Sequence, residues 1–292
     1  MKINKFNKGI LYSSSGSFFW GFLGTYYFQY ITLVGALEVV VHRCIWTALI
    51  LLLTSLFFKK WKILKKVILD KKKIIYLFIS SILIFGNWSA WIYAVSINKI
   101  IDASIGYFIF PILSVFFGYI FFKEKLNKKR IASLLIVFLA SLYLFIDIET
   151  FPWIGFIVAL LWSSYNLVRK KIKVDTDVGL FVESLFILPL AFVILYFIFQ
   201  NSTNDFTFSN PSLMFLLFLA GPMTVIPLFL YIKGVEHAGL GPSGMIFFIT
   251  PTGQFLLGFF YYNEPFSTQK FVSFILIWIA VIIYLKDLYE NY

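Results

Sequence analysis

Charge, cysteine and histidine are all scarce in this 292-residue chain, and each scarcity excludes something. One cysteine, Cys44, lies inside an apolar run, so no disulfide or thiolate metal cluster forms within a single chain, and it reads as a buried structural thiol. The two histidines, His42 and His237, are far apart and no H-E-x-x-H pair occurs, so hydrolytic zinc chemistry lacks its ligands and neither a metal nor a cofactor is implied. No G-x-x-x-x-G-K-[ST] loop is present, which removes ATP as a direct energy source within the chain. Charged residues make up only 13% of the sequence, against about a quarter in soluble domains. No interval between apolar runs exceeds about fifteen residues, leaving little room for a partner-binding module.

What the chain does have is apolar length. Hydrophobic residues reach 60% and aromatics 21%, with 37 Phe, 17 Tyr and 8 Trp, a composition suited to lipid and headgroup interfaces. A membrane-spanning helix takes about 20 apolar residues. Ten runs of roughly that length are found, near 10–31, 36–58, 74–97, 100–122, 131–147, 152–168, 178–199, 212–232, 238–261 and 270–286. The first follows Lys2, Lys5 and Lys8 as a signal peptide would, but it is long enough to span and lacks a small-x-small cleavage site, so it reads as helix one. The expected fold class is therefore an all-α polytopic membrane protein of about ten transmembrane helices.

The net charge of +11 does not form a nucleic-acid stripe. Lys and Arg fall between the runs: three at the N-terminus, eight in 59–73, five in 123–130, four in 169–173, then Lys233 and Lys286. Only Lys99 and Lys270 occupy the alternate loops, so 22 of 24 basic residues outside the helix cores lie on one face. By the positive-inside rule that face, with both termini, is cytoplasmic.

Residues 108–126, FIFPILSVFFGYIFFKEKL, align without a gap onto 248–266, FITPTGQFLLGFFYYNEPF, at an offset of 140. Phe108/Phe248, Ile109/Ile249, Pro111/Pro251, Gly118/Gly258 and Glu124/Glu264 coincide. The offset converts helix four into helix nine, five spans later. Five is odd, so the halves 1–147 and 148–292 must insert in opposite senses, as two inverted five-helix repeats. Glu124 and Glu264 then close mirrored helix ends, in structural or gating roles.

The chain resembles the EamA-type transporters of the drug/metabolite transporter superfamily, and within them the RarD group. The residues that carry the resemblance are Phe19-Trp20-Gly21, His42-Arg43-x-x-Trp46, Gly86-Asn87-Trp88, Ala103-Ser104-x-Gly106-Tyr107-Phe108 with Pro111, and Glu124. They continue with Leu167-Val168-Arg169-Lys170-Lys171-Ile172, Glu183 with Pro189, Pro227, Pro251 and Glu264. The resemblance implies a multi-pass protein of the bacterial inner membrane with ten helices in two inverted halves around a central substrate cavity. It implies no particular substrate. Ser13-Ser14-Ser15-Gly16-Ser17 departs from the group by making helix one more polar.

An ionisable side chain in hydrocarbon costs about 2.5 to 3.5 kcal/mol on insertion scales, so each one requires a partner, a cavity or a role. Glu38 and His42 share a helix face with Trp46, while Arg43 points about 100° away, toward a neighbouring helix or an anionic substrate group. The alternative puts Glu38 and His42 at the external rim with Arg43 snorkelling. Asn87 and Trp91 share a face at mid-depth; Asn87 either contacts substrate or bonds another helix, and Trp91 offers a stacking surface. Helix four presents Ser104, Tyr107, Pro111, Ser114 and Gly118 on one stripe. Helix nine presents Gly244, Phe247, Pro251, Gln254 and Gly258 at the equivalent positions, and the two stripes are expected to face each other. Pro111, Pro227 and Pro251 either free carbonyls at a gate or simply kink their helices. Glu183 is either a carrier of a coupling proton or the partner of Arg169 in a static pair. Trp20 and Tyr165 are candidates for the cavity wall, and Ser13, Gly16, Ser17, Gly21 and Gly24 form a small-residue packing stripe.

Three functions compete on this reading. The first is a secondary carrier whose partners are a small-molecule substrate, the lipid bilayer and a candidate coupling proton. The second, a membrane enzyme, lacks a nucleophile or metal cluster, and the third, a channel or scaffold, lacks polar pore rings and extramembrane domains. One Arg and one His in an aromatic setting suit an amphipathic anion or zwitterion.

Overall fold

In a computed structural model residues 4–31, 33–97, 100–146, 151–263 and 268–290 are described, and their secondary structure is entirely helical. In chain order the helices are α1 (Lys5–Phe18), a π-helical turn (Phe19–Gly24), α2 (Thr25–Tyr30), α3 (Ala36–Phe57), α4 (Trp61–Leu69), α5 (Lys71–Ser96) and α6 (Ile100–Phe122). They continue with α7 (Lys128–Leu144), α8 (Trp153–Ile172), α9 (Thr176–Gln200), α10 (Pro211–Ala238), α11 (Leu240–Ile246), α12 (Ile249–Phe260) and α13 (Thr268–Glu290). Seven helices among the described residues are long and apolar enough to cross a membrane. The α1 to α2 run is broken by its wide turn, α7 is 17 residues long, and α8 carries Arg169, Lys170 and Lys171 in its last turn.

One expectation is corrected here. The lysine-rich interval 59–73 contains a helix, α4, rather than an open loop. Leu64 and Val67 are spaced to share one buried face, while Lys62, Lys65 and Lys66 stay in solvent. Asp70 then caps α5: the amides of Lys72 and Lys73 donate to its carboxylate at 3.1 and 3.2 Å. The Lys73 amide in particular holds the Asp70 carboxyl below the usual carboxylate range.

Large apolar side chains cover the outside, Phe57 (80% exposed) and Leu139 (62%) among them, as a lipid-facing surface requires. Lipid tails are as apolar as leucine, so helix association here draws on close van der Waals contact and polar bonds rather than on water exclusion. The helix-one stripe supplies such contact. A Cβ on Gly16 would stand 2.9 Å from the Pro227 carbonyl and the Tyr231 amide, and Gly21 lies equally close to the Thr250 carbonyl. Ser13 donates to Ser243 at 2.8 Å, which ties α1 to α11. Pro227 and Pro251 are buried at these crossings, and the Pro111 carbonyl lies beside Gly244 where α6 meets α11.

The dominant packings are α1 on α10, α6 on α8, α7 on α13, α3 on α10, α5 on α8, α3 on α9 and α6 on α11, with α12 against the π-helical turn. Arg130 and Asn127 pin α7 to α13 by donating to the Asp287 carboxylate at 2.8 Å. The chain reverses from α10 to α11 at Gly239, whose φ of 107° is strained for any residue with a side chain.

Candidate functional site

Aromatic rings from five helical segments converge at the centre. Trp20, in the π-helical turn, meets Trp162 edge-on at 5.5 Å, and both approach Tyr231 and Phe247. Phe110 packs on Phe247 at 4.8 Å, and Tyr165 stacks on Trp162 at 5.4 Å. From Phe247 the rings continue outward through Tyr107 at 5.6 Å to Trp91 at 5.4 Å. Trp20, Trp91, Tyr107 and Tyr165 are thus joined into one aromatic body. Of its other members, Phe247 belongs to the helix-nine stripe expected from sequence, whereas Phe110, Trp162 and Tyr231 were not singled out. Phe247 is the repeat equivalent of Tyr107, so the 140-residue offset carried a signal for it; the rest sit in ordinary apolar patterns.

Arg43 flanks this body. Thr224 donates its hydroxyl proton to the Ala220 carbonyl at 2.7 Å, which leaves its oxygen to accept from Arg43 Nε at 2.9 Å. The guanidinium lies over Trp88 at 4.7 Å and Phe28 at 5.2 Å from the ring centroids, both cation–π distances. Tyr27, Cys44 and Tyr107 are the ionisable groups in its electrostatic surroundings, and none is a carboxylate. Trp88 also walls a cavity of about 20 Å³, room for one water molecule, between α3, α5, α9 and α10, with Cys44, Thr47, Glu183 and Ser184 around it.

The neighbouring candidates are committed elsewhere. The Glu38 carboxylate accepts the Asp205 amide at 2.9 Å and the Phe206 amide at 3.1 Å, so it clamps the 201–210 segment onto α3. His42 accepts from Trp46 Nε1 at 3.1 Å, lies 3.7 Å from Glu38 and stacks on Phe206 at 4.7 Å. His42 and Trp46 therefore buttress that loop. The Asn87 amide donates to the Val158 carbonyl at 3.0 Å, bridging α5 and α8, which is the interhelical alternative. Gln254 is partly buried on α12 and makes no hydrogen bond among the described residues.

Two ionic clusters, one buried and one half-buried, lie toward the lysine-rich end. Glu183 accepts from Ser80 at 2.5 Å and Tyr165 at 3.1 Å, and lies 3.5 Å from Arg169. Arg169 also donates to the Thr176 carbonyl at 3.1 Å, in space that only Gly179 leaves open. Glu124 pairs with Lys170 and accepts the amides of Leu240 and Gly241 at 2.9 Å, capping α11 across the helix-four to helix-nine crossing. Its expected counterpart, Glu264, lies outside the described residues.

The sequence pattern of the EamA-like transporter family matches residues 7–146 and 152–286. The chain belongs to the EamA-like transporter family. Similar relatives include Protein RarD of Escherichia coli K12, 32% identical over 98% of this chain and 97% of that protein, which places this EamA-family chain in the RarD group of the drug/metabolite transporters. An uncharacterised transporter of Vibrio cholerae is 33% identical over 96% and 92%, and the uncharacterised transporter YojE of Bacillus subtilis is 32% identical over 95% and 93%. A solved crystal structure superposes with a TM-score of 0.75 over 96% of this chain and 97% of its own, at 14% identity, which shows a shared fold. This EamA-family member is accordingly a multi-pass protein of the bacterial inner membrane with a transporter's ancestry.

Proposed function

We propose that this protein is a secondary transporter that moves a small metabolite or drug-like solute by alternating access, with ten spans in two inverted five-helix halves, 1–147 and 148–292. The observation that carries the reading is the central crossing. Tyr107 meets its repeat equivalent Phe247 at 5.6 Å, and Phe108 meets its equivalent Phe248 at 6.2 Å. Equivalent residues touch only beside the axis that relates the two halves.

The helix packing supports the same pairing. If α1 to α2, α3, α5, α6 and α7 correspond to α8, α9, α10, α11 to α12 and α13, then α1 on α10 is matched by α8 on α5. Likewise α3 on α10 is matched by α9 on α5, and α6 on α8 by α11 and α12 against helix one. The remaining pairs, α3 with α9, α6 with α11 and α7 with α13, join equivalents. Five spans per half is an odd number, so the two halves run in opposite senses and both termini face the cytoplasm.

On this reading substrate occupies the aromatic body between Trp20, Trp91, Tyr107 and Tyr165, with Arg43 at its edge, and Gln254 of α12 is kept as a candidate contact. Pro111, Pro227 and Pro251 sit at crossings where the halves rock. His42 and Trp46 shape the outer wall, Glu38 ties the 201–210 segment to it, and Asn87 holds α5 to α8. Glu183 reads as the partner of Arg169, which favours the static pair over a proton carrier. A solute or ion gradient drives net movement.

The test has two arms. Single cysteines in 123–130 and 262–269, in a Cys44→Ser background, should label from opposite faces of right-side-out vesicles; labelling from one face defeats the inverted arrangement. Proteoliposomes should take up solutes from a metabolite mixture, with Arg43→Ala transporting far less and Asn87→Ala losing stability more than specificity. Equal transport by Arg43→Ala and wild type would remove Arg43 from the site.

A further inference from the structure

Among the described residues, the charged side chains drawn into the helix bundle have polar or ionic partners, with one whose charge is left unmatched. Arg169 faces Glu183, Arg130 faces Asp287, and Lys170 faces Glu124. The Glu38 carboxylate is satisfied by the backbone amides of Asp205 and Phe206. Among the described residues, Arg43 has no carboxylate within ion-pairing distance, although it lies within the membrane-spanning α3.

The local geometry says which part of its guanidinium is open. Thr224 accepts from Nε, and the guanidinium carbon stands over the Trp88 and Phe28 rings at cation–π distance. Those contacts hold the guanidinium and engage its Nε edge. The terminal edge, formed by the two Nη groups, makes no hydrogen bond among the described residues. A pair of parallel N–H donors held in a plane matches the two oxygens of a carboxylate. Trp88, over which the guanidinium stands, belongs to the same packed cluster as Phe110, Trp162 and Phe247, with Tyr107 against it.

We propose that Arg43 docks the carboxylate of a monoanionic substrate whose flat, apolar body lies along the aromatic rings beyond Tyr107. This rests on the carrier reading and names the substrate class of that site. Charge balance decides between the alternatives. One guanidinium neutralises one negative charge, so a doubly charged phosphate would leave a net charge in a low-dielectric site. An ammonium group would be repelled by Arg43. A zwitterion needs an acceptor for its cation, and Glu38, Glu124 and Glu183 are already engaged.

The test compares four probes that share one body: hydrocinnamate, its neutral amide hydrocinnamamide, phenethylamine and phenylalanine. Binding to the full-length protein in detergent is followed by intrinsic tryptophan fluorescence at millimolar ligand. Wild type should bind hydrocinnamate about tenfold to a hundredfold more tightly than the amide, the range expected of a charge-assisted pair. Arg43→Gln should bring the carboxylate down to the level of the amide, whose own affinity serves as the check that the variant is folded. Arg43→Lys should keep part of the preference, having charge without the fork.

The inference is overturned if the amide, amine or amino acid binds wild type as tightly as the carboxylate, if Arg43→Gln keeps the preference, or if no probe binds. If Arg43→Gln does not fold, the wild-type ranking and Arg43→Lys decide the matter. Uptake into proteoliposomes separates this inference from the carrier reading. Carboxylate binding without uptake defeats the carrier and leaves the site, whereas uptake that ignores the carboxylate defeats the site and leaves the carrier.

Discussion

Glu124 should be worth more to this fold than the lysine it pairs with. Its carboxylate accepts two backbone amides, from Leu240 and Gly241 at 2.9 Å, at the start of a helix that has no other side-chain cap. Truncation to alanine leaves both donors without that acceptor in a half-buried setting, at about 1 to 3 kcal/mol each, so Glu124→Ala should cost about 2 to 6 kcal/mol. Lys170 is the partner on the other side, but its ammonium keeps some contact with solvent, so Lys170→Ala should cost about 1 kcal/mol or less. Glu124→Gln should fall between them, since its amide oxygen still accepts one N–H but carries no charge. Reversible unfolding in mixed micelles with increasing SDS reads the three variants on one scale. The reasoning fails if Lys170→Ala costs as much as Glu124→Ala, for then the ion pair rather than the cap holds the crossing. It fails equally if Glu124→Ala stays within about 0.5 kcal/mol of wild type.

Three more expectations use the same unfolding measurement or limited proteolysis. Gly16→Val places a branched side chain against the Pro227 carbonyl and the Tyr231 backbone, so α1 must part from α10, at about 1 to 3 kcal/mol or loss of folding; an unchanged midpoint would show the contact to be loose. Glu183→Gln leaves the buried Arg169 uncompensated, at about 3 to 5 kcal/mol, whereas the double variant with Arg169→Met should recover much of it; a double variant worse than the single would refute the pairing. Glu38→Ala releases the amides of Asp205 and Phe206, so the 201–210 segment should be cut faster by an added protease in right-side-out vesicles, and an unchanged rate would mean that other contacts hold it.

The spans were legible because a helix in lipid must be apolar for its full length, and Ala36–Phe57 and Thr268–Glu290 announce themselves that way. The facing stripes were legible as well, through matched Pro, Gly and Glu at a fixed offset, and Tyr107 beside Phe247 is the result. What stayed hidden is the assignment of partners. Glu38 and His42 share a face with Trp46 in sequence and read either as site residues or as rim residues, yet their partners are backbone amides and a ring from Asp205 and Phe206, far along the chain. Helical periodicity does not encode a loop folding back over a helix end. The α4 helix was missed for another reason: eight lysines in fifteen residues mask the spacing of Leu64 and Val67. Arg43 points about 100° from His42 on the helix, toward a neighbouring helix or a substrate group, but nothing in its neighbourhood on the chain announces Thr224 of α10 as its hydrogen-bond partner.

The π-helical turn at Phe19–Gly24 holds one residue more than an α-helical turn would. That surplus shifts the facing of everything after it by about 100° relative to an unbroken α-helix. Ser13 and Gly16, before it, keep the seam with α10, while Trp20 within it is aimed at the central rings and Gly21 at the Thr250 carbonyl, so one helix serves two faces that a single α-helical register would not.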